Sequence, residues 1–258
     1  MLNPKAVELI KLYNVRSKHS NYQALPSCLT NVLSEGDLDI KSRSEWKRLE
    51  YILQEIKIDG KSIIDIGGNS GFFSFEFLDR GAKSVCLYEG NKEHADFAKR
   101  AAEYLSFKKL VIVNEYFDFD RPRELKFDIC LLLNVLHHVG DDYGNQRLSI
   151  ERARQTISDT VRKLVDLSDV MVFQLGFNWK GDPSLPLFEK GKKQEIIEFI
   201  EQAIVGSGWE IKSIGIYDKV KETYTTPNQQ NLARFDELGE FLNRPIFVLE
   251  SKKPSGRK

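Results

Sequence analysis

From residue 61 onward, compact apolar runs alternate with segments of helical period. The runs are "SIIDIG" (62–67), "SVCLYE" (84–89), "LVIVN" (110–114), "FDICLLLN" (127–134) and "VMVFQLG" (170–176). Each is short, rich in β-branched or aromatic residues and bounded by turn or charged residues, which predicts strands. Between them, Phe97, Ala98, Ala101, Tyr104 and Leu105 share one face of a helix starting near Lys92. Ile150, Ala153, Ile157, Val161 and Leu164 do the same in the next long segment. Near-continuous apolar strands separated by helices predict a parallel sheet covered on both faces.

Both ends of the chain depart from this rhythm. A helical pattern around Ile196, Phe199, Ile200, Ala203 and Ile204 stops at Gly206 and Gly208. "WEIKSIGIYD" (209–218) and "PIFVLES" (245–251) then read as two strands without a clear helix between them, which predicts an antiparallel edge. Residues 1–60 hold two helical patterns, about 4–13 and 43–57, the second with Trp46, Leu49, Leu53 and Ile56 on one face. This region is too small for a core of its own and is expected to cap the sheet. Within it, "SKHSNYQ" (17–23) is a candidate lid. The expected division is a helical cap or lid region over 1–60, a main domain over 61–251 and a flexible basic tail over 252–258.

Composition narrows the classes. The 258 residues are 41% hydrophobic and carry 38 basic and 38 acidic side chains, so no global charge favours nucleic acid. Cys28, Cys86 and Cys130 are too few and too scattered for a disulfide framework or a zinc site. Cys86 and Cys130, lying in apolar runs, are expected to be small buried hydrophobes in a reducing compartment. No apolar stretch is long enough to span a membrane, and the charged N-terminus lacks the apolar core of a secretion signal. The expectation is a soluble, cytoplasmic protein without a metal site.

The chemistry gathers at "DIGGNSG" (65–71). It lacks the Gly-Lys-Ser/Thr ending of a P-loop, and Gly67, Gly68 and Gly71 miss the spacing of a dinucleotide fingerprint. Asp65 directly before the loop is a poor neighbour for pyrophosphate but a good one for an ammonium or sulfonium. Glycines let a ligand approach the backbone closely. A zwitterionic, positively charged cofactor therefore fits better than an anionic one.

These residues resemble the first motif of class I S-adenosylmethionine (SAM)-dependent methyltransferases. Asp65, Gly67 and Gly71 match it, and Asn69 stands where the family has its middle glycine. Glu89 ends "SVCLYE" 22 positions after Gly67, like the family's ribose-binding acid, and "FDICLLLNVLHHV" (127–139) resembles the fourth motif. The resemblance covers about residues 45–251. It implies a Rossmann-like, doubly wound, mostly parallel seven-stranded sheet with an antiparallel last strand. It also implies SAM as cofactor, with S-adenosylhomocysteine as product, held by Asp65, Gly67, Gly68, Asn69, Gly71, Phe72 and Glu89. Tyr116, Phe117 and Asp118 in "NEYFDFD" are candidates for adenine, and Asn134 for the cofactor near its methyl group.

The acceptor is less legible. "GFFSFEF" and "LHHV" look like methyltransferase domains that modify O-antigen and other surface polysaccharides. "SEWKRLEYIL" resembles the first helix of tRNA wobble-uridine modifying enzymes, whose Arg-rich continuation after the fourth strand is replaced here by "HHVGDDYGNQ". A hydroxyl on a saccharide or other small polar molecule is the favoured acceptor; a tRNA-modifying transferase and a non-catalytic SAM-binding protein are the alternatives. His138, and behind it His137, is a candidate general base; Asp141 and Asp142 could orient that imidazole or bind a metal, with a solvated acidic turn the favoured reading. Asn178, Trp179 and Lys180 after the fifth strand, and Arg43, are candidate acceptor contacts, with Trp179 stacking on a sugar. Arg16, Lys18, Arg43, Lys47 and Arg48 form a candidate basic patch.

Overall fold

The strands stand where the apolar runs lie, because β-branched and aromatic side chains fill a pleated surface that helices cover. The computed structural model describes residues 4–15, 23–33, 38, 40–121 and 126–252. Arg16, Lys18, most of the candidate lid and nearly all of the basic tail lie outside the described residues. The chain divides into two compact units, Met1–Phe117 and Asp118–Lys258.

The first unit runs α1 (Pro4–Tyr13), α2 (Ser27–Thr30), α3 (Glu45–Glu55), β1 (Ser62–Ile66), α4 (Phe72–Asp79), β2 (Ser84–Tyr88), α5 (Lys92–Leu105) and β3 (Leu110–Val113). Its strands are parallel in the order β3-β2-β1. Helix α4, "FFSFEFLD", has apolar residues on nearly every side, as a helix covered all round must. Helices α2 and α3 pack on it, and α1 packs on α5 through the Tyr13 and Phe97 rings at 5.3 Å.

Helix α3 buries Leu49 and Ile56 as expected but turns Trp46 outward. Glu45, Arg48, Leu49, Tyr51 and Ile52 are inside, while Trp46 is 41% exposed and leans edge-on against Phe72 at 4.9 Å. The cause is a buried ion pair, Arg48 to Glu45 at 3.0 Å, which turns two charged positions inward. Glu45 also accepts from the backbone N–H groups of Ala24 and Arg43 and from the Ser42 hydroxyl. Arg48 is thereby removed from the candidate basic patch.

The second unit runs β4 (Phe127–Leu133), α6 (Ile150–Lys163), β5 (Ser168–Gln174), α7 (Lys193–Ile204), β6 (Trp209–Asp218), β7 (Thr223–Thr225), α8 (Gly239–Asn243) and β8 (Ile246–Ser251). Strands β4 and β5 are parallel, and β8 lies antiparallel between β5 and β6. The expected antiparallel last strand is therefore present. The described residues hold eight strands rather than seven, because three-residue β7 folds back antiparallel on β6. Its Tyr224 ring meets Tyr217 at 5.4 Å, packing that a segment this short does not announce by period. The three cysteines are free thiols. Burial, helped by Asp79 and Glu76, pushes the Cys28 thiol up to about 12, so it is no nucleophile near neutral pH. Among the described residues, no helix is long and apolar enough to cross a membrane.

Candidate active site

Two acids and a string of left-handed residues build the loop between β1 and α4. Gly67, Asn69 and Gly71 all have positive φ, at 70°, 56° and 89°. Asn69 takes the left-handed conformation in place of a glycine because its short polar side chain bonds locally, its Oδ1 accepting from Ser70 N–H at 2.8 Å. The loop spends its donors inside the protein. Gly67 N–H bonds Tyr88 O, Asn69 N–H bonds Glu89 Oε2 at 2.8 Å, and Gly71 N–H bonds Gly68 O. Phe72 N–H, the first of α4, bonds the Gln23 side chain at 3.1 Å.

Asp65 lies beneath this loop, buried, accepting from the Ser74 hydroxyl of α4 at 2.7 Å. Burial pushes its carboxyl up to about 7, opposed by the Ser74 bond and aided by Glu89. Gly68 passes so close that an added Cβ would stand 2.4 Å from Leu87 and 2.6 Å from Asp65 Oδ2. Asp65 thus ties strand, loop and helix together from below. Phe72 contributes its backbone; its ring is fully buried against Trp46 and Phe73. Any part Phe72 takes in holding a cofactor is through its backbone rather than its ring.

Glu89 sits at the end of β2 with both oxygens engaged, Oε2 by Asn69 N–H and Oε1 by Asn91 N–H at 2.7 Å. A carboxylate has about four lone-pair sites, so capacity for hydroxyl donors remains. Asn114 steadies the strand end by donating to the Glu89 carbonyl at 2.9 Å. His94, buried, brings Nδ1 to 3.8 Å from Glu89 Oε1. The aromatic candidates separate cleanly. Tyr116 is 50% exposed and lies flat over Gly90, where a Cβ would come within 2.5 Å of its ring. Phe117 is core, edge-on to Tyr88 at 5.0 Å, and is corrected from an adenine contact to packing. Asp118 is exposed and caps its own turn through Asp120 N–H.

In the second unit, Asn134 follows β4 with φ 65° and is the centre of a polar chain. Its Nδ2 donates to Gln174 Oε1 at 2.9 Å, and its Oδ1 accepts from Arg244 at 2.8 Å. Arg244 also pairs with Glu240, while Gln174 Nε2 donates to the carbonyls of Phe241 and Arg244. No sequence motif marks Gln174, Glu240 or Arg244; they lie 40 to 110 positions from Asn134. His137 is buried, its Nδ1 accepting from Gly176 N–H at 3.3 Å. That places it in the scaffold rather than as a base.

His138 is partly exposed, with Nδ1 at 3.5 Å from Asp142 and 3.8 Å from Asp141. The expected solvated turn is instead half-buried, and the ligand-type atoms of His138, Asp141 and Asp142 lie within 4.8 Å of one another, a spacing able to hold a cation. Trp179 is a correction. It is buried, its indole N–H donates to Val139 O at 2.6 Å, and the Lys180 ammonium covers its ring at 4.3 Å. A face already occupied on one side and packed on the other is not a sugar platform. Asn178 is half-buried and bonds Glu240 at 3.4 Å, and Arg43 has an exposed side chain beside Glu45.

No family model matches the sequence. A curated relative, the tRNA U34 carboxymethyltransferase of Helicobacter hepaticus, is 24% identical over 135 residues, which are 48% of this chain and 43% of that protein. The chain therefore aligns with less than half the length of that relative. WbdD, a bifunctional kinase-methyltransferase, superposes with a TM-score of 0.59 at 15% identity over 96% of this chain and 47% of WbdD. A Listeria monocytogenes protein assigned as an S-adenosylmethionine dependent methyltransferase superposes with a TM-score of 0.52 at 14% identity, over 81% of this chain and 97% of that one. At such identities the likeness speaks to the fold. With the strand orders above and the glycine loop between β1 and α4, the fold of this chain is that of the class I methyltransferases.

Proposed function

We propose that this protein is a SAM-dependent methyltransferase acting on a hydroxyl of a saccharide or other small polar molecule. The observation that carries the cofactor reading is how the loop spends its donors. Most of its N–H groups bond inside the protein, so it does not offer the donor cradle that a polyphosphate needs. It offers acceptors and an aromatic face instead, Glu89 for hydroxyls and Tyr116 for a base. SAM, when bound, supplies a methyl group already activated on a sulfonium.

The chain's own work is then positioning and proton removal. Holding the acceptor oxygen in line contributes roughly 7–11 kcal/mol of barrier reduction. With the methyl's bond to sulfur broken and S-adenosylhomocysteine leaving, His138 would be the residue to take the proton that the acceptor hydroxyl loses. The Asp141 and Asp142 carboxylates face Nδ1 and stabilise the imidazolium that results. A second reading is motivated by the Helicobacter hepaticus relative, that the acceptor is a tRNA wobble uridine. Of the cations assigned to a basic patch, Arg43 and Lys47 remain for that role among the described residues.

Methyl-labelled SAM with a cell extract, fractionated into RNA, protein, glycan and small molecules, tests both readings. Label in glycan or small molecules is the expected result. Label in RNA overturns the saccharide reading, and cofactor binding without label anywhere favours a protein that only holds SAM.

A further inference from the structure

Resting on that reading, we propose that Gln23 is a cofactor-binding residue whose amide nitrogen receives the carboxylate at the amino-acid end of SAM. Gln23 is 5% exposed and reaches the glycine loop from 47 and 49 positions away. Its Oε1 accepts from the Ser70 hydroxyl at 3.0 Å and from Phe72 N–H at 3.1 Å. Gly71, the residue before α4, has no side chain to cap the helix, so Gln23 does so from a distance.

This arrangement also settles which way the amide faces. Backbone N–H only donates, so the atom on Phe72 is the oxygen and the NH2 group is the other one. That nitrogen has no hydrogen-bond partner among the described residues, although the side chain is almost wholly buried. The amide nitrogen is not one of the fully enclosed unpartnered atoms, so it keeps access to an incoming group, and it stands beside a loop whose neighbouring donors are already spent. A ligand carboxylate is the acceptor that bonds such a donor most strongly.

The segment carrying Gln23 is anchored for the task. The Tyr13 hydroxyl donates to the Gln23 carbonyl, Ala24 N–H to Glu45, and the Ser27 hydroxyl to Glu76 of α4 at 2.8 Å. The Gln23 amide is therefore held against the loop before any ligand arrives, which reduces the ordering cost of binding.

Gln23→Glu separates capping from ligand binding. A carboxylate still accepts from Ser70 and Phe72, so the loop and the melting temperature are kept, but the donors are replaced by a charge that repels a carboxylate. Calorimetric titration with SAM and with decarboxylated SAM, on wild type and variant, reads the difference. Wild type is expected to bind SAM at least about tenfold more tightly than decarboxylated SAM. In Gln23→Glu that preference is expected to vanish through weaker SAM binding, with decarboxylated SAM bound as well as before. Unchanged SAM affinity in a folded Gln23→Glu protein overturns the assignment and leaves Gln23 as a helix cap. Failure of wild type to bind SAM in any form overturns the methyltransferase reading itself and the assignment with it.

Discussion

The turn after β1 and the turn after β4 each hold a left-handed asparagine, Asn69 and Asn134, yet they are held by different means. Around Asn69, most of the partners are backbone groups and nearby strand ends, with Glu89 and Gln23 as the long-range side chains. Around Asn134, one backbone bond to the Gln174 carbonyl is joined by a side-chain relay that passes through Gln174 and Arg244 to Glu240. A backbone-held turn keeps its shape when side chains change around it. A turn held largely by side chains can be rebuilt by one substitution.

Predictions that test this contrast run from rate to local packing. Replacing His138 with Ala is expected to lower kcat by about 10²–10⁴-fold while SAM affinity stays unchanged, read by single-turnover kinetics beside calorimetry. Replacement of the buried His137 should instead lower stability. Equal kinetic losses at both positions would show that His138 is no more a base than His137.

The next effect is pH-dependent. Asp65 holds a carboxyl raised to about 7 from 3.8, so the folded state keeps a proton that the unfolded chain has released. Stability contributed at this site therefore falls as pH rises from about 4 to about 7 and levels off above. Asp65→Asn keeps the Ser74 contact without the ionisation. The difference in unfolding free energy between wild type and variant should change by up to about 4 kcal/mol across that window, measured by urea denaturation at several pH values. A flat difference would show Asp65 ionised throughout.

Smaller effects belong to the second unit. Arg244→Met leaves Asn134 and Glu240 without their shared partner and should cost about 2 kcal/mol, read as a shift in urea midpoint. Trp179→Phe removes only the indole bond to Val139 and should cost about 1 kcal/mol, with the acceptor KM altered less than about twofold. A large rise in KM for Trp179→Phe would restore the sugar-stacking role that the structure takes from this residue.

Legibility follows the same divide. The strands, the glycine turn at Gly67–Gly71 and the antiparallel last strand were readable, because each depends on residues adjacent in sequence or on a regular period; the bond from Asn69 N–H to Glu89 was not. Trp46 and Trp179 were not. Apolar character placed Trp46 in the core, but a buried Glu45–Arg48 pair rotated the helix face. An exposed-looking "NWK" suggested a platform at Trp179, but its N–H found a carbonyl 40 positions away. Gln23 fell within a segment expected to act as a lid, yet nothing in its neighbours announces a bond to Phe72 across 49 positions.

By itself the sequence determined the fold class, the position of the glycine loop and the acid at the end of the second strand. These rest on short-range sterics, glycine and asparagine tolerance of positive φ, and hydrophobic period, all of which are local. The tertiary structure alone decided which oxygen and nitrogen atoms still have capacity to bond. That includes Asp65 committed to Ser74, Tyr116 half exposed while Phe117 is packed, His138 facing two carboxylates, and the Gln23 amide turned with its nitrogen unspent. Hydrogen-bond satisfaction is a property of groups brought together in space, and no periodicity along the chain encodes it.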